Sequence, residues 1–298
     1  MIFWIASYPK SGNTWLRALL SAYYYSESGV FDDSLLKKIK QFPTKEYFDG
    51  FNYDKKVVGD TCKLWLLAQE KINIDTHLKF FKTHNVFGKL NDHDFTNNQN
   101  SIGGLYVVRD PRNVITSIRN HYQLDYEKAI QWIGNKENYI YDVQNFEESG
   151  YGDFQYISSW SLNYKSWKVQ KKIPIKFIKY EDLLDKTYIV FLEIIEFINK
   201  ITNNSKKIDK VKLKKVLKTT SFEELKKGFN KLINDNDKWT TIYVEEKLPM
   251  ANKKLKECEG LVVSAYQNYL EKAWIENLKN NHSITVDYNT LYSIKYKP

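Results

Sequence analysis

The chain has 298 residues, 42% of them hydrophobic, with 22 Tyr, 16 Phe, 8 Trp and a net charge of +9; that is enough apolar material for a sizeable core and excludes a disordered chain. No run approaches the ~18 consecutive apolar residues of a membrane span, and a strand beginning at residue 2 leaves no signal peptide to expect. Basic charge suits nucleic acid, but only four of the 45 basic residues are arginine and lysine is spread along the whole chain, which points to compositional bias rather than a phosphate-reading patch.

In chain order, the first signal is Ile2–Ser7, an apolar, β-branched and aromatic run that reads as a buried strand. Tyr8-Pro9-Lys10-Ser11-Gly12-Asn13-Thr14-Trp15 breaks it, and an amphipathic helix is expected from Thr14. Further strands are expected at Leu78–Thr83, Leu105–Val108 and Ile175–Lys179. Helices are expected from Pro111 to about His121, Ile157 to about Lys171 and Tyr188 to about Lys200. Strands alternating with helices indicate a parallel sheet covered on both faces, with the site at the carboxyl ends of the strands. Phe31–Trp65 and Gln123–Tyr156 are long, rich in polar and aromatic residues and poorly periodic, as binding loops or lids are. Lys206–Lys231 is lysine-dense with a partly helical apolar rhythm and reads as solvated helices. No repeat, flexible linker or composition break cuts the chain, so a single domain over residues 1–298 is expected. Cys62 and Cys258 lack metal or redox spacing and fit a reducing, cytoplasmic setting.

Three segments that carry chemistry each follow an expected strand directly. In the first, loop N–H groups at a helix N-terminus favour an anion, Lys10 can reach it, and Ser11, Asn13 and Thr14 add side-chain donors. Gly12 lets the backbone approach closely, and Trp15 offers a ring for stacking on a flat base. The G-x-x-x-x-G-K-[ST] spacing of the Walker loop is missing, which disfavours an ordinary ATP or GTP site. The second segment, Arg109-Asp110-Pro111-Arg112-Asn113, ends a strand and opens a helix that carries Ser117 about two turns further on. Three of the four arginines fall between Arg109 and Arg119, where a planar bidentate fork would grip an anion; pairing of Arg109 with Asp110 or another carboxylate is the plain alternative. The third is Phe80-Phe81-Lys82-Thr83-His84, where the histidine is either a structural residue or a base. The other histidines, His77, His93, His121 and His282, show no comparable setting.

Tyr8–Trp15 resembles the 5′-phosphosulfate-binding loop of sulfotransferases, close to Y-P-K-S-G-T-T-W. Arg109 with Ser117 resembles the same family's 3′-phosphate motif, and Lys82-Thr83-His84 its K-[ST]-H, which supplies the general base. Tyr180 in Lys179–Leu183 and Thr220 with Phe222 in Thr219–Phe222 resemble segments that border adenine in the family. The family's R-K-G-x-x-G-D-W loop has no counterpart around Trp239, where neither Arg nor Gly occurs and Lys227 or Lys238 are the available substitutes.

The resemblance implies an α/β three-layer sandwich with a central, mostly parallel sheet and a P-loop-like phosphosulfate-binding loop. It implies 3′-phosphoadenosine 5′-phosphosulfate (PAPS) as co-substrate, PAP as product and no metal. Lys10, Ser11, Gly12, Asn13, Thr14, Trp15, Arg109, Ser117, Tyr180, Thr220 and Phe222 are then the nucleotide-binding residues. His84, Lys10, Lys82 and Ser117 are the catalytic ones. The expected partner is a small molecule with a hydroxyl group, a phenol or alcohol foremost, held by aromatics such as Phe48, Phe51, Tyr53, Trp132, Tyr139, Tyr141, Phe146, Tyr151 and Phe154. The other readings are a carbohydrate or amine sulfotransferase, a non-catalytic nucleotide-binding relative, a P-loop kinase and a nucleic-acid-binding protein.

Overall fold

The computed structural model describes residues 1–75, 77–221 and 224, together with the backbone of Ile233–Asp235 and Lys238–Thr240; these fall within the unit Met1–Thr241. Five parallel strands form its sheet: β1 (Ile2–Ser7), β2 (Lys40–Gln41), β3 (Lys79–Thr83), β4 (Ser101–Val108) and β5 (Ile175–Lys179). Their spatial order is β2-β3-β1-β4-β5. The chain therefore leaves β1 for one side of the sheet and later crosses to the other. That reversal opens a crevice at the carboxyl end of β1, where ligands of such sheets bind.

β1 is wholly buried because its side chains alternate between two covered faces. Phe3 and Ile5 pack against α1 (Asn13–Tyr25) through Leu16 and Leu19, and, beyond the short α6 (Tyr180–Asp185), against α7 (Thr187–Ile201) through Phe191 and Ile194. Ile2, Trp4 and Ala6 meet an aromatic layer of Phe42, Trp65, Phe81, Phe95, Tyr106 and Trp167. Trp4 lies 5.0 Å from Phe95 and 5.8 Å from Phe42, ring to ring, and its indole N–H donates to Ser101 Oγ at 2.7 Å. A buried indole N–H that loses such a partner costs ~1–3 kcal/mol.

The expected strands at 2–7, 78–83 and 175–179 stand almost to the residue, β3 starting one residue later at Lys79, and β4 begins four residues earlier than expected, at Ser101. The helix expected over 111–121 is α3 (Pro111–Tyr122); the one over 157–171 is shorter, α5 (Trp160–Val169), because Ser159 caps it by accepting from the Leu162 N–H. Within the lysine-rich stretch, α8 (Lys210–Thr219) buries Leu213 and Val216 and leaves its lysines outward. The two aperiodic segments hold more structure than their patterns suggest. Phe31–Trp65 contains three 3-10 turns and the edge strand β2, and leads into α2 (Trp65–Ile72). Arg17 straps the first of these turns to α1, donating to the Leu36 and Ile39 carbonyls at 2.8 and 2.7 Å. Gln123–Tyr156 contains α4 (Tyr126–Gly134) and a two-residue ribbon pairing Tyr139–Ile140 with Gln155–Tyr156. No helix among the described residues is long and apolar enough to cross a membrane.

Asn163 of α5 links this scaffold to the loop after β3. Fully buried, it donates to the carbonyls of His84 (2.9 Å) and Ile157 (2.8 Å) and accepts from the Tyr106 hydroxyl (2.8 Å). Asn163→Leu strands all three groups and is expected to destabilise the protein by about 2–3 kcal/mol, read from the urea unfolding midpoint. An unchanged midpoint would remove Asn163 from this structural role.

Candidate active site

The carboxyl ends of β1, β3 and β4 open into a cavity of about 640 Å³. Its floor is the Tyr8–Gly12 loop, which turns sharply: Lys10 has φ 65° and Gly12 φ 95°, and a Cβ on Gly12 would overlap the Tyr180 ring. No side chain caps α1, and no acidic residue sits in its first turn. The first-turn N–H groups, unmatched within the helix, therefore present a site for an anion.

Arg109, at the end of β4, holds this loop in shape. Its Nη1 donates to the Lys10 carbonyl at 3.0 Å, and its guanidinium lies 4.6 Å over the Tyr180 ring. The neighbouring Asp110 does not neutralise it. Asp110 caps α3 at the Arg112 N–H (2.9 Å) and forms an ion pair with Arg112 Nη2 at 2.6 Å. Among the described residues Arg109 has no carboxylate partner, and its Nε is buried without a hydrogen bond.

Lys82 points from β3 into the same cavity, with its Nζ donating to Gln41 Oε1 at 3.0 Å. Burial, then the charges of Arg17 and Lys10, pull its pKa down to about 8. Lys10 is lowered as well, first by burial and then by Arg109. Two lysines and an arginine thus face one cavity as mutually repelling cations.

His84 follows β3 and is 7% exposed. Its Nδ1 lies 2.6 Å from the Ser7 carbonyl oxygen, which can only accept, so Nδ1 carries the proton. In the neutral ring the lone pair is therefore on Nε2. Burial, followed by the charge of Lys82, holds the pKa well below 6.5, so the ring is neutral at pH 7. Ser7 Oγ lies 3.3 Å from the same Nδ1 and accepts from Asn13 Nδ2 at 3.2 Å, so helix α1 braces the histidine through β1. The His84 N–H donates to Gln155 Oε1 at 2.9 Å.

Of the residues expected from the sequence, Lys10, Gly12, Asn13, Thr14, Lys82, His84, Arg109 and Ser117 come together around the cavity. The others stand behind it. Ser11 is buried with no hydrogen bond to its hydroxyl among the described residues. Trp15 is packed in the core, its indole donating to the Thr220 carbonyl at 2.9 Å and its ring edge-on to Tyr180. Thr220 turns its hydroxyl back to the Val216 carbonyl. Phe222, Lys227, the side chains around Trp239, and Cys258 lie outside the described residues. The aromatic acceptor pocket is corrected: of the nine rings named, Tyr141 alone lines the cavity, while Phe48 and Phe154 belong to the core. Gln41, Thr44, His121, Tyr122, Asp142, Asp153 and Gln155 line it instead. All but His121 and Tyr122 come from the two aperiodic segments. His121 was legible only by position, one helical turn beyond Ser117 on α3.

The strand ends of the parallel sheet thus gather a turned loop, three cations without a carboxylate partner among the described residues and an anchored neutral histidine. The chain matches the sulfotransferase domain over residues 2–282 and belongs to that family. It is similar to luciferin sulfotransferase of Photinus pyralis, at 25% identity over 78% of this chain and 58% of that protein. Among solved structures it is similar to the crystal structure of mouse sulfotransferase SULT7A1 complexed with PAP, at 16% identity and a TM-score of 0.43, over 75% of this chain and 65% of that one. The chain spans less than two thirds of the length of either relative.

Proposed function

We propose that the chain is a sulfotransferase that moves a sulfuryl group from PAPS to the hydroxyl of a small-molecule acceptor, with His84 as general base. The observation that carries this reading is the neutral, Nδ1-anchored His84 sharing a cavity with Lys10, Lys82 and Arg109. The donor fits the residues present: the uncapped turn of α1 with Lys10 and Thr14 suits its phosphosulfate, and Arg109 with Ser117 suits its 3′-phosphate. The buried, unpartnered Arg109 Nε is a donor awaiting an anion. When bound, PAPS supplies a sulfuryl group on a phosphate leaving oxygen. His84 Nε2 takes the proton of the acceptor hydroxyl, which raises its nucleophilicity. Lys82 and Lys10, half desolvated, offset negative charge more strongly than they would in water, and their fixed placement requires no rearrangement during transfer. The reading needs no metal ion, and it goes with a cytoplasmic location and one catalytic domain.

His84→Ala is expected to abolish the acceptor's gain of SO3, followed by mass spectrometry across phenols and alcohols, while leaving PAP affinity close to that of the wild type. Arg109→Ala is expected to weaken PAP binding by at least about tenfold, the loss of a charge-assisted contact. Wild-type turnover by His84→Ala would remove the histidine from the chemistry.

The pH profile of kcat/KM is a second test, because it reports the free protein's essential groups. It is expected to rise as His84 sheds its proton, below 6.5, and to fall as Lys82 loses its own near about 8. Lys82→Met should erase the upper limb and move the lower limb upward, because the charge that helps hold the His84 pKa down is removed. An upper limb that persists in this variant would assign it to another group.

A further inference from the structure

We propose that Gln155 decides which nucleophile the site accepts: its amide N–H donates to the acceptor oxygen whose proton His84 takes, so that a hydroxyl is selected over an amine. This rests on the transferase reading above and assigns a specificity-determining residue to it.

Gln155 is 2% exposed and lines the cavity from the Gln123–Tyr156 segment. Its Oε1 accepts the His84 backbone N–H at 2.9 Å. A backbone N–H can only donate, so the amide has one orientation, and Nε2 is the end left for the cavity. Among the described residues Nε2 makes no hydrogen bond, yet it is not sealed in. Supporting the His84 backbone calls for an acceptor at this position and leaves two N–H donors without a partner in a residue this buried. Three side chains hold His84: Ser7, Asn163 and Gln155. Of these, Gln155 alone also lines the cavity.

The donor is mounted firmly beside the base. The ribbon pairs Gln155 with Ile140. The next residue is tied to the chain after His84: the Tyr156 N–H donates to Asn85 Oδ1 at 2.7 Å, and the Val86 N–H donates to the Tyr156 carbonyl at 2.9 Å. The His84 ring is fixed separately at the Ser7 carbonyl. In the transfer step the bond between sulfur and the phosphate leaving oxygen breaks, the bond between sulfur and the acceptor oxygen forms, and the acceptor proton passes to His84 Nε2. A hydroxyl oxygen has two lone pairs, so one attacks sulfur and the other accepts from Gln155. A neutral amine nitrogen has a single lone pair. Once that is directed at sulfur, its N–H groups face those of Gln155, donor against donor, and the buried amide stays unsatisfied. A site built to hydrogen-bond one polar group rejects an analogue that cannot return the bond.

The test compares 4-ethylphenol with 4-ethylaniline, a matched hydroxyl and amine that are both uncharged at pH 7. Sulfuryl transfer from PAPS to each is followed by mass spectrometry with the full chain, and binding of each is measured by calorimetry with PAP present. The wild type is expected to favour the phenol at least about tenfold in kcat/KM. Gln155→Glu keeps an oxygen for the His84 N–H and turns the donor into an acceptor. Gln155→Met removes the donor without adding charge, and its sulfur is a weak acceptor. Both variants should lower kcat/KM for the phenol, relative to the aniline, by at least about tenfold, with PAP affinity close to that of the wild type. A loss equal for the two acceptors would make Gln155 a support of the His84 backbone and nothing more, and would overturn the proposal; so would undetectable binding and transfer of both. Equal wild-type transfer to the phenol and the aniline would overturn it while leaving the transferase reading intact. Absent transfer, with tighter binding of the phenol that falls to the level of the aniline in both variants, would instead overturn the transferase reading and leave the hydroxyl recognition standing.

Discussion

Everything at this site depends on three cations that have no counter-charge among the described residues. Lys10, Lys82 and Arg109 converge on one cavity, and among the described residues none of them meets a carboxylate. Burial first, and neighbouring positive charges second, lower the proton affinity of both lysines, a setting that suits an anion. The single acid adjacent in sequence, Asp110, is drawn off to Arg112 and to the start of α3. Arg109 is thereby free to strap the loop through the Lys10 carbonyl and to lie over Tyr180, which in turn packs against Gly12. A larger residue at position 12 would collide with that ring, and the anion loop would lose its turn.

The same strand ends position His84, the proposed base. β1 provides the Ser7 carbonyl that fixes the His84 tautomer, and Asn13 at the start of α1 braces Ser7 from behind. Asn163 and Gln155 hold the His84 backbone from the other side. The histidine is oriented by neutral partners only. The Ser7 carbonyl on Nδ1 favours the protonated ring, and burial, followed by the charge of Lys82, outweighs it and keeps the ring neutral. The cations proposed for the donor and the neutral histidine proposed as base thus come from adjacent strands of one sheet.

Much of this was legible in the sequence because it is local. The Ile2–Ser7 run, the Pro–Gly break and the Pro111 helix start each depend on a few neighbouring residues, and the structure reproduces them closely. Arg109, Ser117, Lys82 and His84 were legible because each sits at a fixed offset from a strand end. The far wall of the cavity was not. Asp142 and Asp153 reach it through a short ribbon of two-residue strands, too brief to show a period. Trp15 and Thr220, read as bordering a base, are bonded to each other through the indole N–H and a carbonyl, a contact between positions far apart in the chain. The aromatics of the two loops misled for a similar reason: rings such as Phe48 and Phe154 are needed to cover the second face of the sheet.

The central claim is that this cation cluster grips a nucleotide at two separate phosphate positions. Titration calorimetry of the wild-type protein with adenosine 3′,5′-bisphosphate, and separately with adenosine 5′-monophosphate, tests it most directly. The account expects the bisphosphate to bind at least about tenfold more tightly, because it alone engages Arg109 and Ser117 together with the loop. Equal affinity for the two nucleotides, or tighter binding of ATP with magnesium than of either, would contradict it.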